Sequence, residues 1–152
     1  MSARRFGRGI AAVELALVLP VLLVLLAFPL FFGRVMWHYA TIEKAANDAA
    51  RYLAVAPLTD MKNPARVHYA VAVANDIVAA ETAELNPGTY APVLTVNCNS
   101  AACTGFSAPS TITVTLQVQM EDPFLGGILQ DAFGAATIIP LTAAVTLDYA
   151  GK

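Results

Sequence analysis

Charge is scarce in this 152-residue chain: charged side chains make up 13% of it, about half the roughly 25% of an ordinary soluble protein. Lysine and arginine number 9 against 11 acidic residues, for a formal net charge of −2. No basic patch interrupts that balance, so nucleic acid is set aside as a partner. Histidine and cysteine are equally sparse, with 2 of each. His38 and His68 lie far in sequence from Cys98 and Cys103, and a closed zinc site needs about four ligands, so no metal is expected. Phosphate and acyl chemistry are also missing. Gly126-Gly127 is not followed by Lys-Ser/Thr, and Ser100, Ser107 and Ser110 stand in no Gly-x-Ser-x-Gly turn. The histidines have no companion acid at a recognisable spacing, which is the usual pattern of structural histidines. With no catalytic constellation, the chain reads as a non-enzyme with no cofactor and no small-molecule substrate.

Apolar surface, by contrast, is abundant: hydrophobic residues make up 57% of the chain and mean hydropathy is +0.60. Gly9 to Phe32 reads G-I-A-A-V-E-L-A-L-V-L-P-V-L-L-V-L-L-A-F-P-L-F-F. A helix of that length, at about 1.5 Å per residue, crosses a hydrocarbon core of roughly 30 Å. The division that follows is a basic leader at 1–9, a transmembrane helix at 10–33 and an outer domain at 34–152. Pro20 and Pro29 interrupt the span, and each removes a backbone donor, so a kink or local loosening is expected at both. Arg4, Arg5 and Arg8 precede the span while only Arg34 follows it closely. The positive-inside rule then puts the N-terminus in the cytoplasm and the domain outside. A secretory signal shares the basic-then-apolar plan. Here the run is too long for it, and Leu30-Phe31-Phe32-Gly33-Arg34 holds no small-x-small cleavage site.

Glu14 is the exception inside the span. A carboxylate in hydrocarbon is costly enough that it is usually there for function, and no basic residue lies within the run to pair with it. Gly9-Ile10-Ala11-Ala12-Val13-Glu14 resembles the cleavage motif of type IV prepilins and pseudopilins, in which a membrane peptidase cuts after the glycine and leaves Glu at the fifth mature position. The longer run from Arg8 to Pro20, with Phe32-Gly33-Arg34 and Ala45-Ala46-Asn47-Asp48-Ala49-Ala50-Arg51-Tyr52, resembles the TadE/TadG-like proteins of tight-adherence (Flp) pilus systems. The similarity is dense over about the first 55 residues and looser, at the level of strand pattern, over the rest. An aromatic often follows the glutamate in these pseudopilins; here Leu15 does.

That resemblance implies a minor pilin or pseudopilin of the bacterial inner membrane, cut between Gly9 and Ile10 by a prepilin peptidase. Its partners would be other pilin or pseudopilin subunits, in pilus assembly, initiation or a tip structure for adhesion. Cutting would also supply the missing cation. Ile10 would gain a free α-amino group four residues before Glu14, on the same helical face. The partner of Glu14 is then the chain's own terminus or a neighbouring subunit's, which makes Glu14 an assembly residue. The alternative from a different class is a permanently anchored periplasmic scaffolding or binding module whose span is never cut.

The remainder is sized for one small domain and is itself apolar enough to suggest partners on its surface. Past Gly33 the helix is predicted to continue with Val35, Tyr39, Ile42, Ala46, Ala49 and Leu53 on one face. Arg34, His38, Thr41, Lys44, Asp48 and Arg51 fall opposite, with Lys44 and Asp48 at i,i+4. Asn63-Pro64 offers an N-cap and a first helical position for a second helix to Leu85, closed by Asn86-Pro87-Gly88. Its stripe is Val67, Ala70, Val71, Ala74, Ile77 and Val78.

Three β-strands follow: Pro92 to Cys98, a strictly alternating Thr111 to Met120, and Ile139 to Tyr149, in which Pro140 favours the strand's beginning or an edge. The fold class is therefore α+β and pilin-like, a small antiparallel sheet of about three strands covered on one face by two helices, with strand order unreadable. Asp122 to Leu129 joins the last two strands with Phe124, Leu125, Ile128 and Leu129, either a short packed helix or an exposed loop that is a candidate interface. Cys98 and Cys103, placed outside the cytoplasm, are expected to form a disulfide, with two free thiols as the other possibility.

Overall fold

A computed structural model describes residues 7–85, 90–121 and 138–152, with side chains from Ala11 onward. The chain divides into two compact units, Met1–Met36 and Trp37–Lys152.

The first unit is part of α1 (Gly7–Ala54), a helix of 48 residues. Between Ala11 and Phe32 its apolar side chains are exposed on all sides. A helix apolar all round is at home only in a core or in lipid. By length and composition it can cross a membrane, with a mean hydropathy of 2.9 over its best window. Pro20 and Pro29 lie inside the helix without ending it.

From His38 onward α1 has one buried stripe: His38, Ile42, Ala45, Ala46, Ala49, Ala50 and Leu53. This corrects the expected faces at two positions. His38, assigned to the polar side, is only 2% exposed, while Tyr39, assigned to the apolar side, is 42% exposed. His38 stands four residues before Ile42 and so continues its face directly. Burial of the imidazole is tolerated because its Nε2 lies 3.3 Å from the Leu85 carbonyl oxygen, since a buried polar group needs a partner.

The break at Pro57–Pro64 holds one unexpected turn of helix, α2 (Leu58–Met61). Asn63 then caps α3 (Pro64–Thr82) as expected, its side chain accepting from the Ala65 N–H at 2.9 Å, with Pro64 at the first position. Val67, Ala70, Ala74 and Val78 are buried and Val71 and Ile77 half-buried. A 3-10 turn, Ala83–Leu85, extends the element to the expected residue. The expected stop, Asn86-Pro87-Gly88, lies outside the described residues.

Among the described residues the sheet has four antiparallel strands, in keeping with the expected small sheet of about three: β1 (Val93–Cys98), β2 (Ala101–Ala102), β3 (Thr111–Glu121) and β4 (Ile138–Asp148), in the order β2-β1-β3-β4. The added strand is two residues folded back on β1 through Asn99 and Ser100, both at positive φ (54° and 68°). Two consecutive left-handed residues make the type I′ turn that matches strand twist. In β3 the period of two holds throughout: Ile112, Val114, Leu116, Val118 and Met120 are buried. β4 pairs with β3 from Thr111↔Asp148 to Glu121↔Ile138 and is the end strand of the described sheet. Pro140, its third residue, therefore costs no ladder bond that an inner strand would need. The buried stripes of α1 and α3 and the buried face of the sheet supply the core of this unit.

Candidate functional site

The first candidate is the start of the span. Gly9, Ile10 and Glu14 lie on the continuous backbone of α1, and four residues is one helical turn, so Ile10 and Glu14 share a face. The Glu14 side chain is exposed on the helix surface, beside Ala11, Leu15 and Val18 in a shallow hollow. Between Ala11 and Gly33 the chain has no cationic side chain.

The second is the loop after β1. Cys98 and Cys103 are joined in a disulfide with their Cα atoms 4.9 Å apart. Asn99, in the turn they bracket, organises the return to β3. Its Oδ1 accepts from the Ser110 N–H and hydroxyl, each at 2.7 Å, and from the Thr111 N–H at 3.2 Å, while its Nδ2 donates to the Ala108 carbonyl at 3.2 Å. Gly105, at φ +77°, lies against the backbone of Asn63 and Pro64. Phe106, next to it, is left 83% exposed. Nothing in sequence periodicity singled out Asn99, Gly105 or Phe106. The one usable signal was Asn-Ser between two β-prone flanks, since asparagine tolerates the left-handed region.

A third feature is an open groove of about 270 Å³ lined by Tyr52, Ala56, Asp60, Arg66, Tyr69 and Val73, among others. Its charges are paired, with Arg66 Nη1 lying 3.1 Å from Asp60 Oδ1. The last residues of the chain are tied to the end of α1 and to the segment that follows it. The Tyr149 hydroxyl donates to the Ala56 carbonyl at 2.6 Å, the Ala150 N–H to the Ala54 carbonyl at 2.9 Å, and the Leu58 N–H to the Lys152 carbonyl at 3.2 Å.

Burial, helped by the Asp60 carboxylate, pushes the Tyr149 phenol above its ordinary pKa of 10.0. A raised pKa means that the folded state favours the neutral phenol. This contribution to stability is complete below about pH 10 and is lost as the pH rises through the folded-state value. Tyr149→Phe is expected to lower stability by about 1 kcal/mol at pH 8, the net worth of one hydrogen bond. The gap between variant and parent should narrow in urea melts above pH 10. A gap unchanged with pH would remove the phenol from the account.

The expected Lys44–Asp48 pair forms at 3.5 Å, but Lys44 is held more closely by Glu81 of α3, at 2.9 Å. The hydrogen bond to Glu81 raises the Lys44 pKa. The ammonium is well exposed, and such pairs add little stability. Among the described residues, the span, the disulfide loop and the groove are separate features rather than one convergent centre. Phe124, Leu125, Ile128 and Leu129, the candidate interface, lie outside the described residues.

One helix of membrane-crossing length with a disulfide-braced α+β unit following it fits a single-pass membrane protein. Residues 9–51 match the model of the family described as TadE-like protein, so the N-terminal helix of this chain is TadE-like. No curated protein and no solved structure matches the chain.

Proposed function

We propose that the protein is a minor pilin or pseudopilin of a tight-adherence pilus, inserted with its N-terminus in the cytoplasm and its α+β domain in the periplasm. A prepilin peptidase cuts it between Gly9 and Ile10. The single observation that carries this reading is that the TadE-like match starts at Gly9 and includes Glu14, on a helix with no cation of its own within the apolar run. Cleavage would create an α-amino group one turn from Glu14, and a charge pair removed from water is tolerated only when its members meet. The freed terminus, or that of the adjacent subunit, then holds Glu14 in register while helices stack in the fibre. The disulfide suits the oxidising side of the membrane, where such bridges persist.

N-terminal sequencing of the protein recovered from membranes tests this directly. Ile10 as first residue is the expected result. An intact leader on functional protein would instead mean a permanent anchor.

A further inference from the structure

Along α1 the outward side chains change character in a fixed order. Leu30 and Phe32, near the end of the apolar run, are exposed hydrocarbon. Trp37 and Tyr39 follow, rings with a polar tip, 52% and 42% exposed. Glu43 and Lys44, both exposed, come next. Hydrocarbon, then amphipathic ring, then charge is the order of environments met on leaving a bilayer, and tryptophan and tyrosine collect at its headgroup level.

The two rings do not make one patch. At about 100° per helical residue they stand about 200° apart, on either side of the buried His38, whose Nε2 lies 3.3 Å from the Leu85 carbonyl oxygen. A flat protein surface that covers one ring leaves the other bare, whereas lipid headgroups surround a helix and reach both. Trp37 also has a fixed seat. Its ring meets the His38 ring edge to face, with centroids 5.3 Å apart, and its carbonyl accepts from the Thr41 hydroxyl at 2.9 Å.

We infer that Trp37 and Tyr39 form a collar seated in the headgroup layer of the leaflet from which the Trp37–Lys152 unit emerges. The inference rests on α1 being a membrane span and does not depend on cleavage after Gly9. Spacing along the helix supports it. No charged residue lies between Glu14 and Arg34, and the rise from one to the other, at about 1.5 Å per residue, is about 30 Å, the thickness of the hydrocarbon core. Arg34 then marks one edge of the hydrocarbon, just before the collar, and Glu14 the other. The collar fixes the depth of the span: sliding α1 inward would carry both rings out of the layer that suits them, and holding it in place keeps Glu14 within reach of the opposite headgroups.

Trp37 is the only tryptophan in the chain, so fluorescence of the full protein reports the depth of that ring alone. The protein is reconstituted into vesicles of phosphatidylcholine and phosphatidylglycerol that carry a nitroxide either on the headgroup or near the end of the acyl chain. The headgroup nitroxide is expected to quench Trp37 about twofold or more over the acyl-end one, since an interfacial ring lies about 15 Å from the bilayer midplane. The double variant Trp37→Phe, Tyr39→Trp moves the reporter to the other side of the helix and should give the same shallow pattern. Stronger quenching by the deep label at either position, or quenching by neither label, overturns the collar; the second result is what a protein partner lying over the rings would produce. Leu23→Trp in a Trp37→Phe chain reads the span separately. Leu23 is exposed midway along the apolar run, and a reporter there should be quenched most by the deep label. Deep quenching at position 23 without shallow quenching at 37 would refute the collar and leave the span intact, while loss of deep quenching at 23 would remove the span and the collar with it.

Discussion

Glu14→Ala is expected to insert into the membrane as well as the parent or better, and to be missing from the pilus, with incorporation reduced by tenfold or more. The two halves of that result come from the same number. A carboxylate costs about 2.5–3.5 kcal/mol at the centre of a membrane helix on insertion scales and less toward its end, where Glu14 stands, so deleting it removes an obstacle to insertion. A loss of incorporation then cannot be blamed on failed anchoring and must come from a missing contact between subunits. Glu14→Gln keeps the shape and discards the charge, and should fail as Ala does. Resistance to alkaline extraction reads insertion, and immunoblotting of sheared pili reads incorporation. Normal incorporation of either variant would sink the assembly role of Glu14.

Gly105→Ala should be strongly damaging to the outer unit. Two penalties coincide there. Gly105 sits at φ +77°, where an L-residue is disfavoured by about 1–2 kcal/mol. A Cβ would also stand 2.7 Å from the Asn63 carbonyl carbon and the Pro64 nitrogen. Those are backbone atoms at the cap of α3 and cannot swing aside as a side chain could. Forced repacking of this kind costs about 1–3 kcal/mol, so a total of about 2–5 kcal/mol and a Tm lower by about 10 °C or more are expected for a unit of this size. Gly33→Ala is the control. No atom lies within 4 Å of its Cβ position and its backbone is helical, so alanine there should be neutral or slightly favourable. A Gly105→Ala protein that melts with its parent would mean that the loop does not rest on the α3 cap.

The two sites also differ in how they could be found. Gly9, Glu14 and the long apolar run are read directly from consecutive residues, and the same is true of the Asn63-Pro64 cap and of β3. Each depends only on neighbours a few positions away: a run long enough for lipid, a cap before a proline, an alternation of two. Gly105 is one of several glycines in loops, and nothing near it in sequence tells that the chain around Asn63 will be pressed against it.

His38 makes the same point from the other side. Its polarity placed it outside the helix stripe, but Leu85, 47 residues away, supplies the carbonyl that lets it be buried. Lys44 was paired with Asp48 by helical spacing, and its nearer partner, Glu81, became available only once α3 lay alongside α1.

Local periodicity and the apolar run determined the elements themselves: a membrane-length helix, its continuation, a second helix and the long strands. Only the tertiary structure decided the strand order β2-β1-β3-β4, the hairpin that adds a fourth strand, the role of Asn99 and the exposure of Phe106. The physical reason is range. Propensity and amphipathic spacing act over a few residues, whereas burial, hydrogen-bond partners and close backbone contacts are set by segments that meet only after the chain has collapsed.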